Sequence, residues 1–180
     1  MAASQVALLR GINVGRNNRV SMEALRGLVS NLGYGDVRTL LNSGNVVFTV
    51  PKAVPRDAAS RIEKALTAET GISARVTVLS SAELARVVEE NPLLKISDNP
   101  SRLLVAVLKD PADRSKLVPF SKQDWGREVL AVGSRAAYLW IPDGVIKSVL
   151  NEAVNRLLGD GVTSRNWATI LKLRDMMAAP

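Results

Sequence analysis

Apolar and polar positions along this chain follow two rhythms, one of period two and one near 3.6, which predict strands and helices in turn. Residues 5–10 are an almost continuous apolar run, short and bounded by a turn, and predict a buried strand. A loop containing Gly11 and Gly15 follows. Met22, Leu25, Leu28, Val29 and Leu32 then recur at helical spacing, with Ser21 placed to cap the helix and Gly33 to end it. Residues 37–42 and 45–50 are β-rich runs around Ser43-Gly44, a hairpin pattern. Pro55 opens a helix carrying Ile62, Ala65 and Leu66, and Gly71 closes it. Residues 74–79 alternate, with Val76 and Val78 on one face, as a half-buried strand does. The first half therefore reads βαββαβ.

Ser80-x-x-Glu83 has the form of a capping box and opens a short helix with Leu84, Val87 and Val88, broken by Asn91-Pro92. Residues 91–101, with Pro92, Asp98, Asn99 and Pro100, are the best linker candidate. The second half starts again with an apolar strand over 102–109. Asp110-Pro111 caps and opens a short helix. Residues 127–132 and 135–140 flank Gly133-Ser134 as a second hairpin. Asp143 then caps a helix carrying Val145, Ile146, Val149, Leu150, Val154, Leu157 and Leu158. The last strand of this half is weak, with only a stub over 160–163, and a final helix runs over about 167–177.

The order of elements thus repeats although the residues do not. The expected fold class is α+β, with two ferredoxin-like βαββαβ halves of antiparallel sheet, 1–90 and 91–180, plus a C-terminal helix. The competing architecture is one mixed sheet with helices on one side.

Composition narrows the chemistry. Apolar residues make up 47% and charged residues 23% of 180 positions, which marks a globular chain with enough length to bury a core. Aromatics are only 4%, so aliphatic side chains must fill that core. No apolar run approaches the roughly 20 residues of a membrane helix. The start, Met1-Ala2-Ala3-Ser4-Gln5, has no basic region of the kind that opens a signal peptide, and without cysteine there is no disulfide to point to export, so the cytoplasm is the expected compartment. The absence of histidine and cysteine removes the commonest general base, the thiol nucleophile and the Cys/His zinc site. No cofactor is expected. The net charge of +7 admits nucleic acid or a small anionic ligand as partner, against the plainer reading that the charge serves solubility. The basic residues are scattered, which excludes a disordered basic tail.

Three segments are more polar than a plain fold requires. The first, Leu9-Arg10-Gly11-Ile12-Asn13-Val14-Gly15 with Arg16, Asn17, Asn18 and Arg19 behind it, lies between a strand and a helix. Glycines there let backbone N–H groups approach an anion. Neither the dinucleotide nor the P-loop spacing is present, so a tight βα loop is the plainer reading. The second is Asn42-Ser43-Gly44-Asn45-Val46-Val47-Phe48. It is superficially similar to the aromatic third strand of RNA-recognition domains, but that motif needs several exposed aromatics and Phe48 stands alone, so a core Phe and an ordinary hairpin turn are expected. The third is Thr163 to Leu173. Ser164 or Asn166 can cap the last helix, and Arg165, Thr169 and Lys172 at i, i+4 and i+7 would share one helical face near its positive end. Trp167, Ile170 and Leu171 would dock the helix.

The three motifs "LLRGINVG", "SGNVVF" and "TSRNWATILKL" together resemble the bacterial domain-of-unknown-function family numbered 1697, in order and spacing over almost the whole chain. The resemblance implies an α/β fold with ferredoxin-like halves and supplies no reaction. It carries the family's motif positions onto Arg10, Gly11, Asn13, Gly15, Ser43, Gly44, Asn45, Arg165, Asn166, Trp167 and Lys172. Two positions depart from the pattern. Arg16 replaces a usual second glycine, and Ser164 a usual threonine.

Arg, Asn and Lys are costly ways to hold a fold, because buried charges need partners. The expected ligand-binding residues are therefore Arg10, Asn13, Ser43, Asn45, Arg165, Asn166 and Lys172, gathered in a polar cleft for an anionic or phosphorylated ligand. Nucleic-acid binding is the second class of function. A metal-independent enzyme is the third; it would rely on a carboxylate, a lysine or a hydroxyl, and no catalytic residue is singled out.

Overall fold

A computed structural model describes residues 3–55 and 57–179; the first two residues of the N-terminal segment read above lie outside them. The elements are β1 Ala3–Arg10, α1 Met22–Asn31, β2 Gly35–Leu40, β3 Asn45–Val50, α2 Ala58–Thr70, β4 Arg75–Ser80, α3 Ser81–Glu89, β5 Leu103–Leu108, α4 Arg114–Leu117, β6 Val129–Val132, β7 Ala136–Trp140, α5 Val149–Leu158, β8 Val162–Asn166 and α6 Trp167–Ala178. Short 3-10 turns precede α4 and α5. The chain forms two compact units, residues 1–82 with 173–180, and residues 83–172.

In the first unit the strand order is β2-β3-β1-β4, all pairs antiparallel. In the second it is β6-β7-β5-β8, again antiparallel. This is the same order twice, the ferredoxin-like arrangement expected from βαββαβ, and the fold is α+β with two such halves. A single mixed sheet is excluded.

The first sheet packs Ala7, Leu9, Val46, Phe48 and Val76 against Leu25, Leu28 and Val29 of α1 and Ile62 and Leu66 of α2. Phe48 is thus core, tilted against Tyr34 with ring centroids 4.7 Å apart. The second sheet packs Leu104, Ala106, Leu108, Ala137 and Leu139 against Leu117 of α4 and Leu150, Val154 and Leu158 of α5. Strand side chains alternate between faces. The opposite face of each sheet is nonetheless buried as well: Val6, Leu8, Val47 and Leu79 in the first, Leu103, Val105, Val107 and Tyr138 in the second. The half-buried strand expected over 74–79 is therefore covered on both sides, with Thr77 and Leu79 as inaccessible as Val76.

Helix ends follow their capping chemistry. Ser21 Oγ accepts from Ala24 N, as expected. Asp57, not Pro55, caps α2, and Gly71 closes it in the left-handed region. Ser148 caps α5 by accepting from Asn151 N at 2.9 Å, so this helix starts later than Asp143 would place it. Val145 and Ile146, placed on this helix by their periodicity, precede it, and with Val149 they are exposed. The expected stub over 160–163 is a full strand, β8. Hydrogen bonding to β5 carries it to Asn166, although its polar sequence hides it.

In the second unit Tyr138 donates its hydroxyl to Val87 O at 2.6 Å, and burial pushes that hydroxyl's pKa up. Beside it, Glu90 accepts from the Ser134 backbone N–H and hydroxyl at 2.8 Å, and the backbone bond leads in holding its carboxyl below its ordinary 4.5. A carboxylate with a depressed folded-state pKa stabilises above its unfolded value and loses that contribution as pH falls through the folded one. Wild type is therefore expected to lose more thermal stability than Glu90→Gln as pH drops below 4.5, in melting curves recorded by circular dichroism.

Candidate functional site

Two polar motifs meet at one end of the first sheet. The loop after β1 reverses direction through positive φ at Gly11 (93°), Asn13 (53°), Gly15 (61°) and Asn18 (55°). Asparagine and glycine are the residues that adopt this region at least cost. Asn13 locks the loop: its Nδ2 donates to Val20 O at 2.9 Å and to Asn42 O at 2.8 Å, while its Oδ1 accepts from Val20 N at 2.8 Å. Asn18 Nδ2 donates to Gly11 O at 3.1 Å. The second of these Asn13 bonds ties the loop to the turn between β2 and β3. From that turn, Gly44 O accepts from Leu9 N at 2.8 Å. Asn45, fully buried, donates from Nδ2 to Leu40 O at 2.8 Å and to Ser43 Oγ at 2.9 Å. Both amide hydrogens of Asn13 and of Asn45 are therefore spent on holding this end of the sheet. Ser43 is exposed on the turn.

Arg10 ends β1, and its partner in register is Arg75, the first residue of β4. Directly opposed residues carry their Cβ atoms roughly 5 Å apart, and like charges there destabilise the pair. Both arginines project to the sheet face away from α1 and α2, because Leu9 and Val76 point toward those helices. Arg16 and Arg19 are exposed on the neighbouring loop, Arg19 donating to Gly15 O at 2.6 Å. Two residues along β4 from Arg75, on the same face, is Thr77, buried, whose Oγ1 has no hydrogen-bond partner among the described residues. Arg75 also borders a groove of about 400 Å³ that Lys64, Thr67 and Ser73 line with Glu63. Arg75 was not singled out in the sequence. The signal existed, since a βαββαβ order places the first and last strands side by side and so sets the start of β4 against the end of β1.

In the second unit Arg165 lies on β8, opposite Val105, and not on the last helix. The shared helical stripe of Arg165, Thr169 and Lys172 is thus not formed, and Thr169 is buried. Arg165 projects to the sheet face away from α4 and α5, donates to Ser164 O at 2.8 Å, and is desolvated enough to pull its pKa down to about 10. It remains charged at neutral pH. Asn166 alternates to the other face, and its Oδ1 accepts from Thr169 N at 2.9 Å, which makes it the cap of α6. Trp167 is buried, as a docking residue should be, and Lys172 is exposed. The first unit therefore gathers Arg10, Asn13, Ser43 and Asn45 at one sheet end, while Arg165, Asn166 and Lys172 diverge within the second. Among the described residues no group of three or more acidic side chains could hold a metal ion. None of the described helices is long and apolar enough to cross a membrane.

Such an arrangement offers guanidinium groups and a hydroxyl on a rigid base, which suits charge recognition. Comparison with known proteins supports the fold. A conserved bacterial protein, SP0830 from Streptococcus pneumoniae, superposes with a TM-score of 0.78 at 22% identity, over 98% of this chain and 99% of that one. No curated protein matches. The family model described as "Protein of unknown function (DUF1697)" matches residues 2–138, short of the C-terminal motif but spanning the first two and most of the second unit, and the chain therefore belongs to that family.

Proposed function

We propose that the protein binds a small anionic, phosphorylated ligand at the loop end of the first sheet. The observation that carries this reading is the cross-strand pairing of Arg10 with Arg75 beside the Asn13-locked loop. Two arginines paired in register on a stiff sheet give a phosphate or carboxylate charge-assisted donors from both strands. Ser43 adds a hydroxyl. Asn13 and Asn45 act by positioning, since their amide hydrogens are already engaged. Arg165 and Lys172 are the second unit's candidates for the same ligand class, with Asn166 holding the helix that carries Lys172.

Burial favours this reading over single-stranded RNA. Ferredoxin-like RNA-binding modules stack bases on an open sheet face, whereas Val6, Leu8 and Val47 here, like Leu103, Val105 and Val107, are inaccessible.

Titration calorimetry with phosphate esters tests the reading. Arg75→Gln is expected to weaken binding about tenfold or more, matching Arg10→Gln, because each removes one charge-assisted pair. Unchanged affinity in Arg75→Gln rules out the paired arginines as the site.

A further inference from the structure

The second unit holds a cleft that none of the sequence motifs touches. It has a volume of about 530 Å³ and lies between the start of β6 and the turn that leads into α5. Trp125 and Val149 form its apolar walls, and Arg102, Arg127 and Lys147 its cationic ones. Two carboxylates, Glu128 and Asp143, also line it, against the three cations, so the lining keeps a net positive charge. Glu128 Oε2 accepts from Leu150 N at 2.8 Å, at the start of α5, and Asp143 pairs with Arg127 at 2.9 Å. Arg102 spends one guanidinium nitrogen on Pro142 O. Its remaining donors, and the ammonium of Lys147, have no partner among the described residues. Trp125 is held from behind: its Nε1 donates to Phe120 O at 2.7 Å and its ring tilts against Phe120 with centroids 5.5 Å apart.

We infer that this cleft binds an aryl or nucleobase-bearing phosphate monoester, its phosphate on Arg102 and Lys147 and its ring against Trp125 and Val149. Guanidinium and ammonium donors without partners match a dianionic phosphate. The partly buried indole of Trp125 and the exposed side chain of Val149 both line the cleft and give a planar ring apolar surface, where aromatic stacking rewards it over an aliphatic group. The cleft's volume falls within the range of small-molecule sites. This site is separate from Arg10 and Arg75 in sequence and in residues, so it stands or falls independently of them.

The test is a titration of the full chain with adenosine monophosphate, ribose 5-phosphate and inorganic phosphate, read at the Trp125 indole N–H by NMR. Adenosine monophosphate is expected to shift that resonance, to bind at least several-fold more tightly than ribose 5-phosphate or phosphate, and to lose about tenfold or more in affinity in Arg102→Gln/Lys147→Gln. Binding should persist in Arg10→Gln. No shift at millimolar ligand, undiminished binding in the double variant, or equal affinity for the three probes would each overturn the assignment. Because Trp125 also packs against Phe120, the readout uses the native indole, and the substituted residues are exposed cations whose loss leaves the core intact.

Discussion

Gly44→Ala is expected to destabilise the protein by about 2–4 kcal/mol, lowering the melting temperature by roughly 5–15 °C. Two costs add. Gly44 sits at φ 80°, where an L-residue is strained by about 1 kcal/mol. A methyl group at this position would also stand 2.8 Å from Leu9 Cβ and 2.9 Å from Ile12 Cδ1, both belonging to buried residues. The clash pushes apart the two segments that the Leu9 N to Gly44 O bond draws together, so the end of the sheet opens. Gly15→Ala is the control. It shares positive φ, at 61°, but its Cβ would meet nothing within 4 Å, so it should cost only the backbone strain. Thermal melts of the two variants check the difference.

Asn13→Ala is the second large effect, expected at about 2–4 kcal/mol. It removes three hydrogen bonds, leaves the N–H and C=O of buried Val20 unpaired, and puts alanine at φ 53°. Asn13→Asp keeps the acceptor for Val20 N and loses the two donors, so it should fall between alanine and wild type. Hydrogen exchange should locate the loss: Val20 N–H becomes fast in Asn13→Ala and stays protected in Asn13→Asp. Equal protection in both variants would remove Asn13 from its role as the lock between loop and turn.

These two positions show how the family motifs work. Glycine and asparagine in "RGINVG" and "SGN" were legible as turn chemistry, and their meeting at one sheet end follows once β1 and β3 pair. The double ferredoxin order was legible because hydrophobic periodicity and turn residues agreed in both halves. What stayed hidden was set by pairing between distant segments. β8 is polar, and only its ladder with β5 makes it a strand, so the spacing of Arg165, Thr169 and Lys172 read as helix. Val145 and Ile146 continue the apolar rhythm of α5 but precede its Ser148 cap, and no periodicity argument separates them from the core. The cleft around Arg102 and Lys147 draws on residues too far apart in sequence to form a motif.

The most direct test of anion binding at Arg10 and Arg75 is a thermal-shift titration in the Arg102→Gln/Lys147→Gln background, which silences the cleft beside Trp125. A phosphate ester at a hundred times its dissociation constant adds about 2.7 kcal/mol, a rise of roughly 5–10 °C for a chain of this size. The account predicts that this rise appears in that background and vanishes when Arg10→Gln and Arg75→Gln are added. A rise of the same size with both arginines replaced, or none with any phosphate ester while they are present, would contradict it.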